Sequence, residues 1–214
     1  MRAAFHSTPG DELSERAQLA EFAPVDYSGR VKLADIFARP GPLDLDIGSG
    51  EGAFLEAMAA RHPERNYLGM ERLLGRVRKV CRSIAEHRFA NARVMRIESF
   101  YAIKNLLPLE SVAVAHVSFP DPWPKRYHHP RRLIQASFLR ELHAVLAPGG
   151  ELRIKTDDEP YFRWMENAFA AVTGYKRSEW IEEPDYPQTN FERRFLAQGL
   201  PIYRARLRKI SAGK

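Results

Sequence analysis

The sequence predicts a doubly wound α/β domain, with seven strands in a mostly parallel sheet and helices on both faces. Three observations carry this reading. A short apolar run, Leu43 to Ile47, leads into Gly48-Ser49-Gly50-Glu51-Gly52, and Phe54, Leu55, Met58 and Ala59 then recur at helical spacing. That is the opening strand, turn and helix of such a sheet. Apolar strand runs and amphipathic helical runs then alternate along the chain. An acid recurs where strands end, at Asp46, Glu71, Glu98 and Asp121.

Taken in order, residues 1–38 read as an N-terminal arm on the core, expected to be partly disordered. Leu13, Ala17, Leu19, Ala20 and Phe22 suit a short helix after Ser7 to Asp11, and Leu33, Ile36 and Phe37 share one face of a second. Pro40-Gly41-Pro42 breaks the chain, so the main domain is assigned to residues 39–214. Asn66 to Met70 forms the second strand and ends at Glu71. A helix follows from Leu73 to about His87, with Leu74, Val77, Cys81 and Ile84 on its apolar face. Arg93 to Ile97 is the third strand, and Tyr101 to Leu107 a short helix before Pro108. Val112 to Phe119 is the fourth strand. Residues 133–146 form a helix stopped by Pro148-Gly149-Gly150, and Glu151 to Thr156 is the fifth strand. Tyr161 to Val172 is a helix, and Tyr175 to Ile181 and Ile202 to Leu207 are the last strands, separated by a polar loop.

Bulk properties narrow the function classes. A 214-residue chain with 44% hydrophobic and 28% charged residues can bury a sizeable core. No apolar stretch approaches membrane-spanning length. Asp11, Glu12, Glu15 and Glu21 fall where a signal peptide needs apolar residues, and Cys81 is the one cysteine. Both suit the cytoplasm. A net charge of +6 favours an anionic partner, and basic residues gather at 72–82, at 125–132 and from Arg193 onward.

Ligands of open α/β sheets bind at the carboxyl ends of the strands. Gly48 and Gly50 allow left-handed backbone and a close ligand approach there. Glu71 stands about 20 residues past the glycines, where such folds hold ribose hydroxyls. Carboxylates at Asp46, Glu71, Glu98 and Asp121 would repel a pyrophosphate. They suit a ligand with a ribose, an amino group, an adenine and a positive charge, features that S-adenosylmethionine combines. Beyond the fourth strand, Pro120, Pro122 and Pro124 stiffen a turn that carries Asp121, Trp123 and Lys125. His128 and His129 lack further ligands at metal-site spacing, so no metal is expected.

Leu45-Asp46-Ile47-Gly48-Ser49-Gly50-Glu51-Gly52 resembles motif I of class I methyltransferases. Ser118-Phe119-Pro120-Asp121-Pro122-Trp123-Pro124-Lys125, followed by His128 and Arg131-Arg132, resembles the signature of bacterial tRNA (guanine-N7)-methyltransferases. Thr156-Asp157-Asp158-Glu159-Pro160-Tyr161 and Thr189-Asn190-Phe191-Glu192-Arg193-Arg194 agree with the same family, in its order. The resemblance implies a Rossmann-like class I methyltransferase fold with an antiparallel final strand. It also implies methyl transfer from S-adenosylmethionine to N7 of a tRNA guanine, usually position 46 in the variable loop. It places Asp46, Gly48, Gly50, Glu71, Glu98 and Asp121 at the cofactor, with Asp121 catalytic. Lys125, Asp157, Thr189, Asn190, Phe191 and Glu192 would contact the substrate, and Tyr127, His128, Arg131 and Arg132 the RNA. Pro130 stands where many members have lysine, and Tyr127 where many have a basic residue.

Guanine N7 is a lone-pair nucleophile with no proton, so the reaction needs alignment and stabilisation of a cationic product ring more than a base. Asp157 or Glu192 is suited to accept from the guanine N1–H and amino group, and Trp123 either stacks on a base or anchors its loop. The alternatives are a class I methyltransferase acting on another RNA or a protein, a non-catalytic RNA-binding protein of this fold, and a nucleotide-dependent oxidoreductase. The glycine spacing, Gly-x-Gly-x-Gly, disfavours the last. Monomer and homodimer both remain open.

Overall fold

The structure, a computed structural model, describes residues 9–181, 183 and 186–210. Strands β1 (Leu43–Ile47), β2 (Asn66–Glu71), β3 (Ala92–Arg96), β4 (Val112–Ser118), β5 (Leu146–Thr156), β6 (Tyr175–Ser178) and β7 (Tyr203–Lys209) form one sheet. Their order is β3-β2-β1-β4-β5-β7-β6. The pairs from β3 through β5 are parallel, and β7 runs antiparallel to both β5 and β6. The expected mostly parallel sheet with a reversed final strand is what the chain forms.

Alternation along each strand divides the core in two. From β1, Leu43, Leu45 and Ile47 join a large cluster with Phe138, Leu142 and Tyr161. These come from helices α6 (Ala136–Val145) and α7 (Glu159–Ala170). On the other face, Phe54 and Leu55 of α3 (Ala53–Arg61) pack with Val77 and Ile84 of α4 (Leu74–Glu86). Asp44 points to that second face, where Arg65 grips it through two hydrogen bonds of 2.9 and 2.6 Å. A buried acid needs such a partner.

The N-terminal arm lies on the core from Pro9 onward; its first eight residues fall outside the described residues. Helix α1 (Pro9–Ala20) buries Ala20 in the smaller cluster, and α2 (Leu33–Ile36) buries Ile36 in the larger one. Between them the Phe22 N–H donates to the Val94 carbonyl at 2.8 Å, beside a Glu21–Val94 bridge.

Three departures from the sequence reading have local causes. Pro148-Gly149-Gly150 does not separate a helix from a strand. Helix α6 runs straight into β5 at Leu146, and these residues form a bulge where the β4–β5 register slips between Val112 and Val114. Gly149 takes φ 74° there. The expected helix at 101–107 is a single turn, α5 (Ser99–Tyr101), continued by a π-helical turn at Ala102–Leu106. The polar loop before β7 contains a helix, α8 (Asn190–Ala197), with Thr189 as its cap.

Candidate active site

Parallel register brings the carboxyl ends of β1, β2 and β4 level, with Ile47 beside Met70 and Val117. The glycine turn leaves β1 there. The backbone N–H groups of Gly48 and Ser49 both donate to the Met70 carbonyl at 3.0 Å, so β2 fixes the turn. Gly48 and Gly50 adopt φ 78° and 56°, conformations that suit glycine. No atom lies within 4 Å of where a side chain at Gly48 would begin, so the space above the turn is open.

Asp46 is buried under that turn, and its Oδ2 has no hydrogen-bond partner among the described residues. Burial, reinforced by the charge of Glu71, pushes its carboxyl up to about 7. The buried Glu71 accepts from the Arg72 and Leu73 N–H groups at 2.7 and 2.9 Å, and Arg76 lies 3.5 Å from its other oxygen. Glu98 is exposed and caps α5, accepting from the Phe100 and Tyr101 N–H groups at 2.9 and 2.8 Å. An unpartnered buried acid is a receptor for a cation or an N–H or O–H donor.

Beyond β4 the proline turn begins at Phe119, whose N–H donates to the Lys155 carbonyl at 2.8 Å. Asp121 is exposed on this turn. Trp123 is half-buried, with the Arg131 guanidinium 5.2 Å from its ring and His128 packed 5.2 Å away. Tyr127, Arg131 and Lys125 are exposed around the 3-10 helix Arg126–Arg131. Arg132 departs from its expected surface role. It is 5% exposed, its guanidinium lies over the rings of Tyr161 and Trp164, and its Nε donates to the Pro122 carbonyl at 2.8 Å.

At the end of β5 the paired acids divide their duties. Asp158 caps α7 by accepting from the Tyr161 N–H at 2.7 Å, and Asp157 is left half-exposed before it. Thr189 accepts from the Glu192 N–H at 3.1 Å as the cap of α8. The Glu192 side chain does not close a capping box. It is 1% exposed and takes the Lys155 ammonium on both oxygens at 2.8 Å, with Arg204 at 3.1 Å. Glu192 is therefore withdrawn from solvent and already charge-paired, unlike the open substrate contact expected for it. Asn190 accepts from Arg193, and Phe191 is exposed near Phe119, 6.5 Å between ring centres. Phe195 fills the gap, 5.4 Å from Phe119.

Lys155, Trp180 and Tyr186 form a further cluster that no motif in the sequence marks. The Lys155 ammonium lies 4.6 Å from the Tyr186 ring and 5.5 Å from Trp180, and the Tyr186 hydroxyl meets His116 Nδ1 at 2.7 Å. The available signal was a lysine inside an otherwise buried strand, which needs a counter-charge from elsewhere. Among the described residues no group of three or more His, Cys, Asp or Glu side chains is placed to hold a metal, and no helix is long and apolar enough to cross a membrane.

The strand order, the reversed β7 and the turns at the carboxyl edge define a class I methyltransferase fold. The solved 16S rRNA methyltransferase KamB shares it, with a TM-score of 0.62 and 18% identity over 81% of this chain and 90% of its own. A family model described as "Putative methyltransferase" matches residues 40–205. The tRNA (guanine-N(7)-)-methyltransferase of Syntrophotalea carbinolica is 37% identical over 85% of this chain and 77% of its own. That of Halorhodospira halophila is 38% identical over 88% of this chain and 85% of its own. The chain belongs to the tRNA (guanine-N(7)-)-methyltransferase family.

Proposed function

We propose that this chain methylates N7 of a guanine in tRNA, in the variable loop, with S-adenosylmethionine as donor. The observation that carries the reading is the pairing of two unlike turns at one sheet edge. One is glycine-built and open above Gly48, with the unpartnered Asp46 buried at its base. The other is rigid and carries the exposed Asp121.

When bound, S-adenosylmethionine supplies an electrophilic methyl on a cationic sulfur. Gly48 and Gly50 leave room for it, Asp46 offers an acceptor and a counter-charge, and Glu71 faces ribose hydroxyls. Glu98 marks the adenine end. Asp121 holds the target base in line and stabilises the positive charge that its ring gains. Asp157, half-exposed, accepts from the guanine N1–H and amino group. Lys125, Tyr127, His128 and Arg131 border the RNA, and Asn190 and Phe191 present the start of α8 to it. Thr189 and Glu192 act from behind by fixing that helix.

The test is labelled methyl transfer to an unmodified tRNA transcript, followed by mapping of 7-methylguanosine. Label at the variable-loop guanine, lost in a transcript lacking that guanine, is the expected result. Cofactor binding with no transfer to tRNA would reject the substrate assignment.

A further inference from the structure

The turn from Pro120 to Pro124 has a problem of support. Its three prolines carry no N–H, so its backbone offers many acceptors and few donors. Phe119 and Trp123 also hold left-handed backbone, φ 54° and 45°, which bulky side chains adopt only when their surroundings impose it. The entry to the turn is fixed by the Phe119 N–H on the Lys155 carbonyl. The Pro122 carbonyl, directly after Asp121, is fixed by Arg132 Nε at 2.8 Å.

Arg132 is itself held on all sides. Its guanidinium carbon lies 4.9 Å from the Tyr161 ring centre and 5.1 Å from that of Trp164, both on α7. Its carbonyl accepts from Gln135 Nε2 at 2.7 Å, and its N–H donates to the His129 carbonyl at 3.0 Å. Two residues on, the Ile134 N–H donates to the Tyr161 hydroxyl at 3.0 Å, and its carbonyl accepts from Trp164 Nε1 at 3.1 Å. The path from α7 through Arg132 to Pro122 is thus a continuous brace ending one residue from Asp121.

We propose that Arg132 is a positioning residue: it sets the place of Asp121 by holding the Pro122 carbonyl, and it does not contact the RNA. A guanidinium that is 5% exposed and stacked on two rings is not available to a phosphate. Its neighbour Arg131 also lies over a ring, that of Trp123, but it is exposed and can meet the RNA backbone. The task suits arginine, whose planar group stacks with its face and donates along its edge. A lysine ammonium keeps the charge but cannot do both in the same place. The inference rests on the proposed role of Asp121.

The test compares wild type, Arg132→Lys and Arg131→Gln as full chains. Wild-type methyl transfer to guanine N7 is measured first, and its absence would reject the proposed function by itself. With wild type active, Arg132→Lys should lower kcat by about tenfold or more. Its KM for tRNA should stay within about twofold, and the slope of log binding constant against log salt should not change. Arg131→Gln should instead reduce that slope by about one. A reduced slope with kcat kept in Arg132→Lys would overturn the proposal in favour of a phosphate contact. Unchanged kcat and slope would overturn it too, since the turn would then hold itself. If Arg132→Lys does not fold, Trp164→Phe decides. It keeps a ring beneath the guanidinium but removes the bond to Ile134, so kcat should fall about threefold or more at unchanged tRNA affinity. No change would sink the brace.

Discussion

The glycine turn after β1 and the proline turn after β4 lie at the same edge of the sheet but are held in opposite ways. The glycine turn is fixed by main-chain bonds to the adjacent strand, and it leaves Asp46 without a partner. The proline turn is fixed by side chains from far along the chain, and the buried charged groups behind it are matched. Arg132 holds Pro122, Lys155 holds Glu192, and Phe195 fills behind Phe119. The first arrangement leaves a buried acceptor, Asp46 Oδ2, that a ligand donor can satisfy. The second is a preformed scaffold whose one acid, Asp121, is exposed on the turn. Receptivity at one turn and rigidity at the other are what alignment of two substrates requires.

The largest expected effect tests the matched side. Lys155→Met leaves Glu192 buried with only the Arg204 contact, and should cost about 3–5 kcal/mol of stability, toward the lower end because Arg204 remains. Denaturant midpoints measure it. The double variant Lys155→Met with Glu192→Leu should recover most of the loss, and a double variant as unstable as the single one would break the comparison. Next, Asp121→Ala should reduce methyl transfer by about 10²–10³-fold while leaving the denaturation midpoint in place. A midpoint shift as large as the rate loss would make Asp121 part of the scaffold.

The unpartnered acid gives a pH signature. Asp46 titrates at about 7 in the folded chain, so between its ordinary value and 7 the folded state keeps a proton that the unfolded state has lost. Stability therefore falls as pH rises through that window, with the full loss reached above about 7. Asp46→Asn should remove this slope, and denaturation at pH 5 and pH 8 would show it. For the same reason, affinity for cationic S-adenosylmethionine should rise with pH up to about 7, by at most about tenfold per unit, and then level off. Calorimetry showing a flat profile would mean that Asp46 does not meet the charge. The smallest effect is Gly48→Ala. Its left-handed φ of 78° should cost about 1 kcal/mol of stability, since no neighbour is struck. Cofactor affinity should fall by more than that if the open space is the cofactor's.

The same contrast explains what the sequence made legible. The β1 turn, its acid and its helix are consecutive residues, so periodicity and glycine chemistry were enough to place them. Asp121 was legible for the same reason, since the strand and the prolines flank it directly. The roles of Arg132, Lys155 and Glu192 depend on partners 10 to 37 positions away, and no local pattern encodes those. Arg132 read as surface because it sits in a basic run, and its burial is imposed by two aromatic rings on α7. Thr189 to Glu192 has the spacing of a capping box, which was a usable sign of α8. The box stays half-formed because a buried ammonium outcompetes a backbone N–H for the carboxylate. Pro148-Gly149-Gly150 carried a true signal of irregular backbone, but composition alone does not distinguish a bulge within a strand from a loop before it.

The short contact between the arm and β3 bears on how the molecule behaves among its own copies. A bare outer strand offers unpaired backbone groups to any neighbour able to extend the sheet. At one border Phe22 occupies the Val94 carbonyl, so part of β3 is already covered by the chain's own beginning. At the other, β6 is four residues long and carries the exposed Lys176 and Arg177, which discourage strand-to-strand recruitment. A chain trimmed back to Pro40 would keep the turns but bare the first border, and it should be the form that clumps. The segment that looked like an appendage thus serves as a selvedge, keeping a seven-stranded sheet from becoming longer.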